Sequence, residues 1–271
     1  MKLSFSTLGS PNYNMDQIIG IAVENNYQGI EIRAVSGTTD IHCLDEFKGG
    51  GLLETAKKIK SAGLEVACLG TGVRFNKACK EDQANNLELA KISIEIAKTL
   101  DCRYIRVFGG PMIPTQSYTE SMKWLWEGNS KLCELAKSMD ALPLIETHDD
   151  FSTGARINDL IGGLSPGSEI GLCWDILHPL RFGEAINDTY AAMKDRIYHV
   201  HIKDSTEFSD KGFDFELVGE GKVPVADCIA LLKSGGYDGY LSFEWEKLWH
   251  PEIPEPEVAI PHFAKNIGKF M

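Results

Sequence analysis

The chain of 271 residues contains no run near the roughly 18 consecutive apolar residues that a membrane-spanning helix needs, which excludes a helical membrane span. Positive charge is also scarce. Lys and Arg number 27 against 39 Asp and Glu, giving a formal charge of -12 and a pI near 5.1. Such a surface repels phosphate backbones and anionic bilayers, which argues against a nucleic-acid or membrane partner. It says less against a small sugar or sugar phosphate, because one metal ion or lysine overrides the global field locally. The seven cysteines, at 43, 68, 79, 102, 133, 173 and 228, include no CxxC pair and read as reduced, mostly core residues. The opening MKLSFSTLGSPNYN is too broken by Ser, Thr and Gly to read as a secretory signal, so a cytoplasmic protein is expected. No linker, charge block or low-complexity tract interrupts the chain, so residues 1–271 are expected to form one domain.

What remains is an alternation. Short apolar segments occur at 3–9, 29–34, 64–72, 104–110, 142–148, 170–176, 198–204 and 240–246, rich in Val, Ile, Leu, Tyr and Phe. Between them lie stretches with helical spacing. One is capped by Asn14 and runs through IIGIAVENN, and LLETAKKIKSAG stops at Gly63 with lysines in its last turns. Further helices are expected at 81–100, 117–140, 155–164, 184–196, 223–234 and 255–270, the last with a kink or late start at Pro261. Eight strand–helix repeats with apolar strands indicate a parallel sheet covered on both faces and closed into a (β/α)8 barrel. About 250 residues suffice for that fold. An open doubly wound sheet would usually carry a Gly-rich phosphate loop after its first strand, and TLGSPNYN is not one.

Active sites of such barrels gather at the C-terminal strand ends. Four successive strands of the second half end in polar residues: LPLIE in Glu146, GLCWD in Asp175, YHVHIKD with His201 near its end, and YLSFEWE with Glu244 and Glu246 on one face. Of three carboxylates and an imidazole brought to one point, the carboxylates would repel one another strongly, and at least one would have to take a proton unless a cation sat among them. A single divalent metal bound by Glu146, Asp175, His201 and Glu244 is therefore expected. Oxygen donors with one nitrogen suit Mn, Mg or Co, with Zn also compatible, and the sequence does not choose among them.

At these residues the chain resembles the xylose isomerase-like TIM barrel superfamily of sugar phosphate isomerases and epimerases. The resemblance covers nearly the whole chain. It rests on GIEIR, IETH, WDILH, HVHIKD, the GEGKVP loop at 219–224 and GYDGYLSFEWE, in that order. It implies the same four metal ligands, and it implies that His178 contacts substrate or orients a ligand. The superfamily includes epimerases, isomerases, dehydratases and DNA-repair apurinic endonucleases. A three-zinc endonuclease site needs several histidines from the first half of the barrel, where this chain has only His42 before the fifth strand.

The constellation suits proton abstraction beside a carbonyl through a metal-stabilised enediolate. Glu146 and Glu244, from the outer strands of the ligand set, are assigned as the acid–base pair as well as ligands. His148 and Lys203, just beyond ligands, are candidate substrate-binding residues together with His178. His199 reads equally as a support for His201 or as core. Glu31 and Arg33 share a strand face and either reach the pocket or form an internal ion pair. The Pro-rich segment 247–258 reads as a lid or a subunit contact, and a homo-oligomer is compatible with it. The leading reading is a metal-dependent sugar or sugar-phosphate isomerase or epimerase. The alternative is a dehydratase or lyase on a keto-sugar or inosose. A non-catalytic sugar-binding barrel ranks below both.

Overall fold

In the computed structural model, which describes residues 1–271, eight parallel strands close into a barrel in the order β1-β10-β7-β6-β5-β4-β3-β2. The strands are β1 (Lys2–Ser6), β2 (Gly29–Ile32), β3 (Glu65–Arg74), β4 (Tyr104–Phe108), β5 (Leu142–Glu146), β6 (Gly171–Asp175), β7 (Ile197–Ile202) and β10 (Tyr240–Phe243). The helices are α1 (Met15–Glu24), α2 (Gly49–Ser61), α3 (Lys80–Thr99), α4 (Tyr118–Ser138), α5 (Gly154–Gly162), α6 (Leu177–Arg181), α7 (Ile186–Met193), α8 (Val225–Ser234) and α9 (Pro256–Asn266). The expected (β/α)8 fold is present. No helix is long and apolar enough to cross a membrane.

Local chemistry explains the boundaries. The side chain of Asn14 accepts from the Gln17 amide while Gln17 returns a bond to the Asn14 amide, so both orphan donors at the start of α1 are satisfied. The Ser117 hydroxyl caps α4 in the same way, without the reciprocal bond. The helix expected at 184–196 is present as α7 and a 3-10 turn, Lys194–Arg196, and a further short helix, α6, which the spacing does not announce, forms directly after β6. Pro256 opens α9 at its first turn, where a missing N–H costs nothing, and Pro261 is accommodated within the helix. Between β7 and α8 stands a small antiparallel hairpin, β8 (Phe208–Ser209) and β9 (Gly212–Phe213), which the periodicity does not announce.

The main apolar core lies outside the barrel. Ile30, Ile32, Val107, Ile145, Trp174, Val200, Ile202 and Phe243 point outward into the helix layer. Inward positions alternate with these and are of two kinds. Cys68, Leu142, Leu144 and Cys173 form a small apolar plug. Beside it the buried interior is polar, with Ser4, Glu31, Arg106, Glu146, Asp175, His199, His201, Lys203 and Ser242 all shielded from solvent. So many charges inside a barrel require mutual pairing, and that pairing builds the site.

Candidate metal centre

Glu146 and Asp175 are the last residues of β5 and β6, His201 is the penultimate residue of β7, and Glu244 directly follows β10. Glu244 remains tied to the sheet, its amide donating to the Ile202 carbonyl at 3.1 Å. One donor atom from each of the four residues lies within 4.8 Å of all the others, and all four side chains are buried. His201 Nδ1 stands 3.0 Å from Glu146 Oε1 and 3.2 Å from Glu244 Oε1. Glu146 Oε2 and Asp175 Oδ2 are buried without an aligned hydrogen-bond donor. Three oxygen donors and one ring nitrogen, converging with uncommitted lone pairs, fit a hard divalent cation.

Side-chain cations hold the cluster together. Arg106 Nε lies 3.2 Å from Glu146 Oε2, and its Nη1 donates to the Thr71 carbonyl at 2.8 Å. Lys203 Nζ sits 2.9 Å from Asp175 Oδ2, 2.5 Å from Glu244 Oε2 and 2.7 Å from Glu246 Oε1. Burial raises the carboxyl of Asp175, and although Lys203 opposes this, Glu244 and Glu146 add to it, leaving it pushed up to about 6. Burial works against Glu244 too, but His201 and Lys203 overcome it and hold that carboxyl well below its usual range. Burial likewise opposes protonation of His201, yet Cys173 and the surrounding carboxylates Glu244, Glu31 and Glu146 raise it well above the ordinary histidine value. One carboxylate is thus driven toward its protonated form, as repulsion within such a cluster requires.

Behind the four residues lies a support. Glu31 Oε2 accepts from His201 Nε2 at 2.9 Å, from His199 Nε2 at 2.7 Å and from the Ser242 hydroxyl at 3.1 Å. Glu31, His199 and His201 also lie close enough together to surround an ion. At hydrogen-bond contact they instead form a carboxylate–histidine relay, which keeps a proton on His201 Nε2 and turns Nδ1 toward the cluster, where it becomes a donor atom once its own proton leaves. Glu31 therefore pairs with histidines and not with Arg33, and His199 supports the same carboxylate. Asp175 Oδ1 accepts the amides of Leu177 and His178, which fixes its other oxygen toward the centre. The Thr147 hydroxyl bridges the Asp175 amide and carbonyl and locks the ends of β5 and β6 together.

The remaining expected residues border the cluster. Lys203 is inside it. His178 is buried, with Nε2 3.8 Å from Asp175 Oδ2, and Arg181 Nη1 lies 3.1 Å from its Nδ1. Because a guanidinium only donates, Nδ1 accepts and the ring proton resides on Nε2, which has no protein partner. Burial, with help from His148 and Lys203, holds His178 well below its ordinary value, so the ring is neutral. His148 is half-buried at the lip, 3.1 Å from Asp149, its ring centroid 4.5 Å from that of His178. The hairpin adds Phe213, edge-on to His178 at 5.8 Å. The segment 247–258 wraps back on itself: Lys247 donates to the carbonyls of Pro251 and Ile253, and Trp245 donates to that of Pro254. Its His250 packs on Phe215, which packs on Phe213, while Trp249 stays exposed.

Arg106, Arg181 and Phe213 were not singled out in the sequence. A lone arginine in the middle of YIRVF was a usable signal, since a charge inside an apolar strand needs a buried partner. Phe213 carried none.

The family model described as the xylose isomerase-like TIM barrel matches residues 19–263. The chain is 24% identical to the fructoselysine 3-epimerase of Shigella flexneri over 261 residues, covering 90% of each chain. It is 25% identical to the inosose isomerase of Halalkalibacterium halodurans over 272 aligned positions, covering 93% of this chain and 89% of that one. Among solved structures, the probable 3-DHS dehydratase AsbF of Bacillus anthracis superposes with a TM-score of 0.81 at 19% identity, covering 99% of each chain. The IolI protein with a bound zinc atom superposes equally well, at 0.81 and 19% identity, over 100% of this chain and 98% of that one.

Proposed function

Because the chain belongs to the xylose isomerase-like TIM barrel family, we propose that it is a divalent-metal-dependent isomerase or epimerase of a sugar or sugar phosphate. The observation that carries this reading is the convergence of Glu146, Asp175, His201 and Glu244 within 4.8 Å at the barrel's C-terminal end. The names of the two relatives, one a 3-epimerase and the other an isomerase, support it, and a zinc-bound structural neighbour supports the metal.

These four residues would hold the ion, which when bound lowers the cost of negative charge developing on a substrate carbonyl oxygen. The acid–base work falls to Glu146 and Glu244. Around the barrel wall Asp175 and His201 lie between them, so the two carboxylates flank whatever occupies the centre. Arg106 beside Glu146 and Lys203 beside Glu244 favour the ionised form in whichever of the two acts as base, while its partner must enter the cycle carrying the proton it returns. One takes the proton next to the carbonyl, and the other, on the opposite face, returns one. His178 offers its free Nε2–H to a substrate oxygen, and Lys203 and His148 hold further oxygens.

Metal-loaded protein incubated with ketoses and keto-inositols in D₂O tests the proposal. Deuterium gained at carbon without loss of water is expected. Loss of water with deuterium gain would instead assign a dehydratase on the same site. No exchange with either substrate class would overturn proton-abstraction chemistry here.

A further inference from the structure

The cations buried in or beside the barrel mouth are all paired except one. Arg106 has Glu146 and the Thr71 carbonyl, Lys203 has three carboxylates, and Lys247 has two carbonyls. Arg33, two residues beyond Glu31 at the end of β2, is largely buried. Its backbone amide is fixed by the Thr7 hydroxyl at 2.8 Å, but its guanidinium has no hydrogen bond and no ion pair. Its five donors form a planar fork that has no protein acceptor and keeps contact with solvent, so the fork is open to a ligand.

Space has been made for this side chain. A Cβ added at Gly70 would stand 2.8 Å from Arg33 Cδ, 3.2 Å from Arg33 Cβ and 3.1 Å from Arg106 Nη2. Any residue other than glycine there would force one or both arginines to shift. Arg33 thus lies on the inner side of the barrel above Glu31, beside Arg106. It also borders a cavity of about 60 Å³ between the 39–42 segment, the end of β3 and α3, whose far wall is Leu89, Ser93 and Ile96. Asp40 is exposed and stands beyond ion-pair distance. Burial, followed by the neighbouring Arg106, lowers the guanidinium to about 10, with Glu244, Glu146 and Glu31 pulling the other way. Arg106, which shares the space at Gly70 with it, is itself 3.2 Å from Glu146 Oε2, so Arg33 stands one side chain removed from the proposed acid–base pair.

We propose that Arg33 is an anion subsite, and that the substrate is a ketose bearing a carboxylate or phosphate at the end remote from its carbonyl. A guanidinium fork matches either group with two parallel charge-assisted bonds. The identification of the carbonyl end rests on the function proposed above, whereas the anion subsite itself does not. In a chain of net charge -12 an unpaired local cation adds to a bound metal ion in drawing an anionic molecule to this mouth.

The test is calorimetric binding to the Mn²⁺-loaded protein of D-fructose, D-fructuronate and D-fructose 6-phosphate, which share a ketose end and differ in distal charge. At least one charged ketose should bind about tenfold tighter than fructose, the strength of a hydrogen-bonded charge pair. Which of the two gains identifies carboxylate or phosphate. Arg33→Gln should erase the difference while leaving fructose affinity, metal content and melting temperature unchanged, and Arg33→Lys should keep part of it. Charged ketoses no tighter than fructose, or a preference that survives in Arg33→Gln, would overturn the proposal. The two readings fail separately: a charge preference without solvent exchange leaves the subsite standing and removes the epimerase, and the reverse result does the opposite.

Discussion

At the scale of single residues, the position of one proton on His201 decides whether the centre can hold an ion. Its Nδ1, which faces Glu146 and Glu244, can offer an ion a lone pair only when the one remaining ring hydrogen is on Nε2, and Glu31 secures that by accepting it at 2.9 Å. Glu31→Gln keeps the shape but replaces the charged acceptor by an amide. It should weaken divalent metal binding about 10- to 100-fold, as loss of such supporting carboxylates generally does, and competition against a chelating dye would read it. Native affinity in this variant would show that His201 needs no such support. Direct removal of a donor should act more strongly. Glu146→Gln, Asp175→Asn and His201→Ala should each sharply lower bound metal with the barrel intact, and full occupancy by elemental analysis in any two would remove the assignment. The acid–base pair separates from the ligand role by exchange: a metal-replete Glu146→Gln or Glu244→Gln should lose net epimerisation while one of them still washes deuterium into the substrate.

At the scale of elements, the strand ends were readable because alternation leaves little choice. An inward residue two places after a buried apolar one must also point inward, which puts Glu146 after Leu144 and Asp175 after Cys173 on the barrel's inner side. What each inward residue touches across the barrel depends on the register of non-adjacent strands, so Glu31 could be placed but its partners on β7 could not. The β8–β9 hairpin was illegible for a different reason: strands of two residues have no period. It is nonetheless well anchored. Arg181 on α6 donates from Nε to the Ser209 carbonyl at 3.1 Å and from Nη1 to His178, with its guanidinium 4.9 Å from the Phe213 ring. Within the loop, Asp214 accepts from the Ser205 and Thr206 hydroxyls and the Thr206 and Glu207 amides. One arginine thus joins the cover of the site to the histidine beneath it. Arg181→Met should speed amide hydrogen exchange across 206–214 and raise KM more than it lowers kcat, with Arg181→Lys restoring part of each. Unchanged exchange in the hairpin would mean that the loop is held by Asp214 alone.

At the scale of the whole molecule, burying a charged cluster makes stability depend on both metal and pH, and the signs can be worked out. The carboxyl of Asp175 is pushed up to about 6 by burial, against the pull of Lys203 and with Glu244 and Glu146 adding to the push. Without an ion the native state therefore binds a proton there that the unfolded chain releases near pH 4. For His201, burial disfavours the charge but Cys173 and the neighbouring carboxylates raise the imidazole well above its ordinary value, so it too gains a proton on folding. Where the native state holds more protons than the unfolded one, stability falls as pH rises. The stabilisation from Asp175 is complete below about pH 4 and lost through about 6, and that from His201 is lost as pH climbs through its raised value. A divalent ion requires both groups deprotonated and so competes with these same protons. Added metal should consequently stabilise the protein more as pH rises from 5 to 8. At a hundred times the dissociation constant the gain is about 2.7 kcal/mol. For a chain of this size that is a rise of roughly 5–10 °C in Tm, since each kcal/mol moves it by about 2–4 °C. Thermal melts with EDTA and with Mn²⁺ across that range measure both quantities. A metal-induced rise that stays constant or shrinks toward pH 8 would mean that the ion binds away from Asp175 and His201.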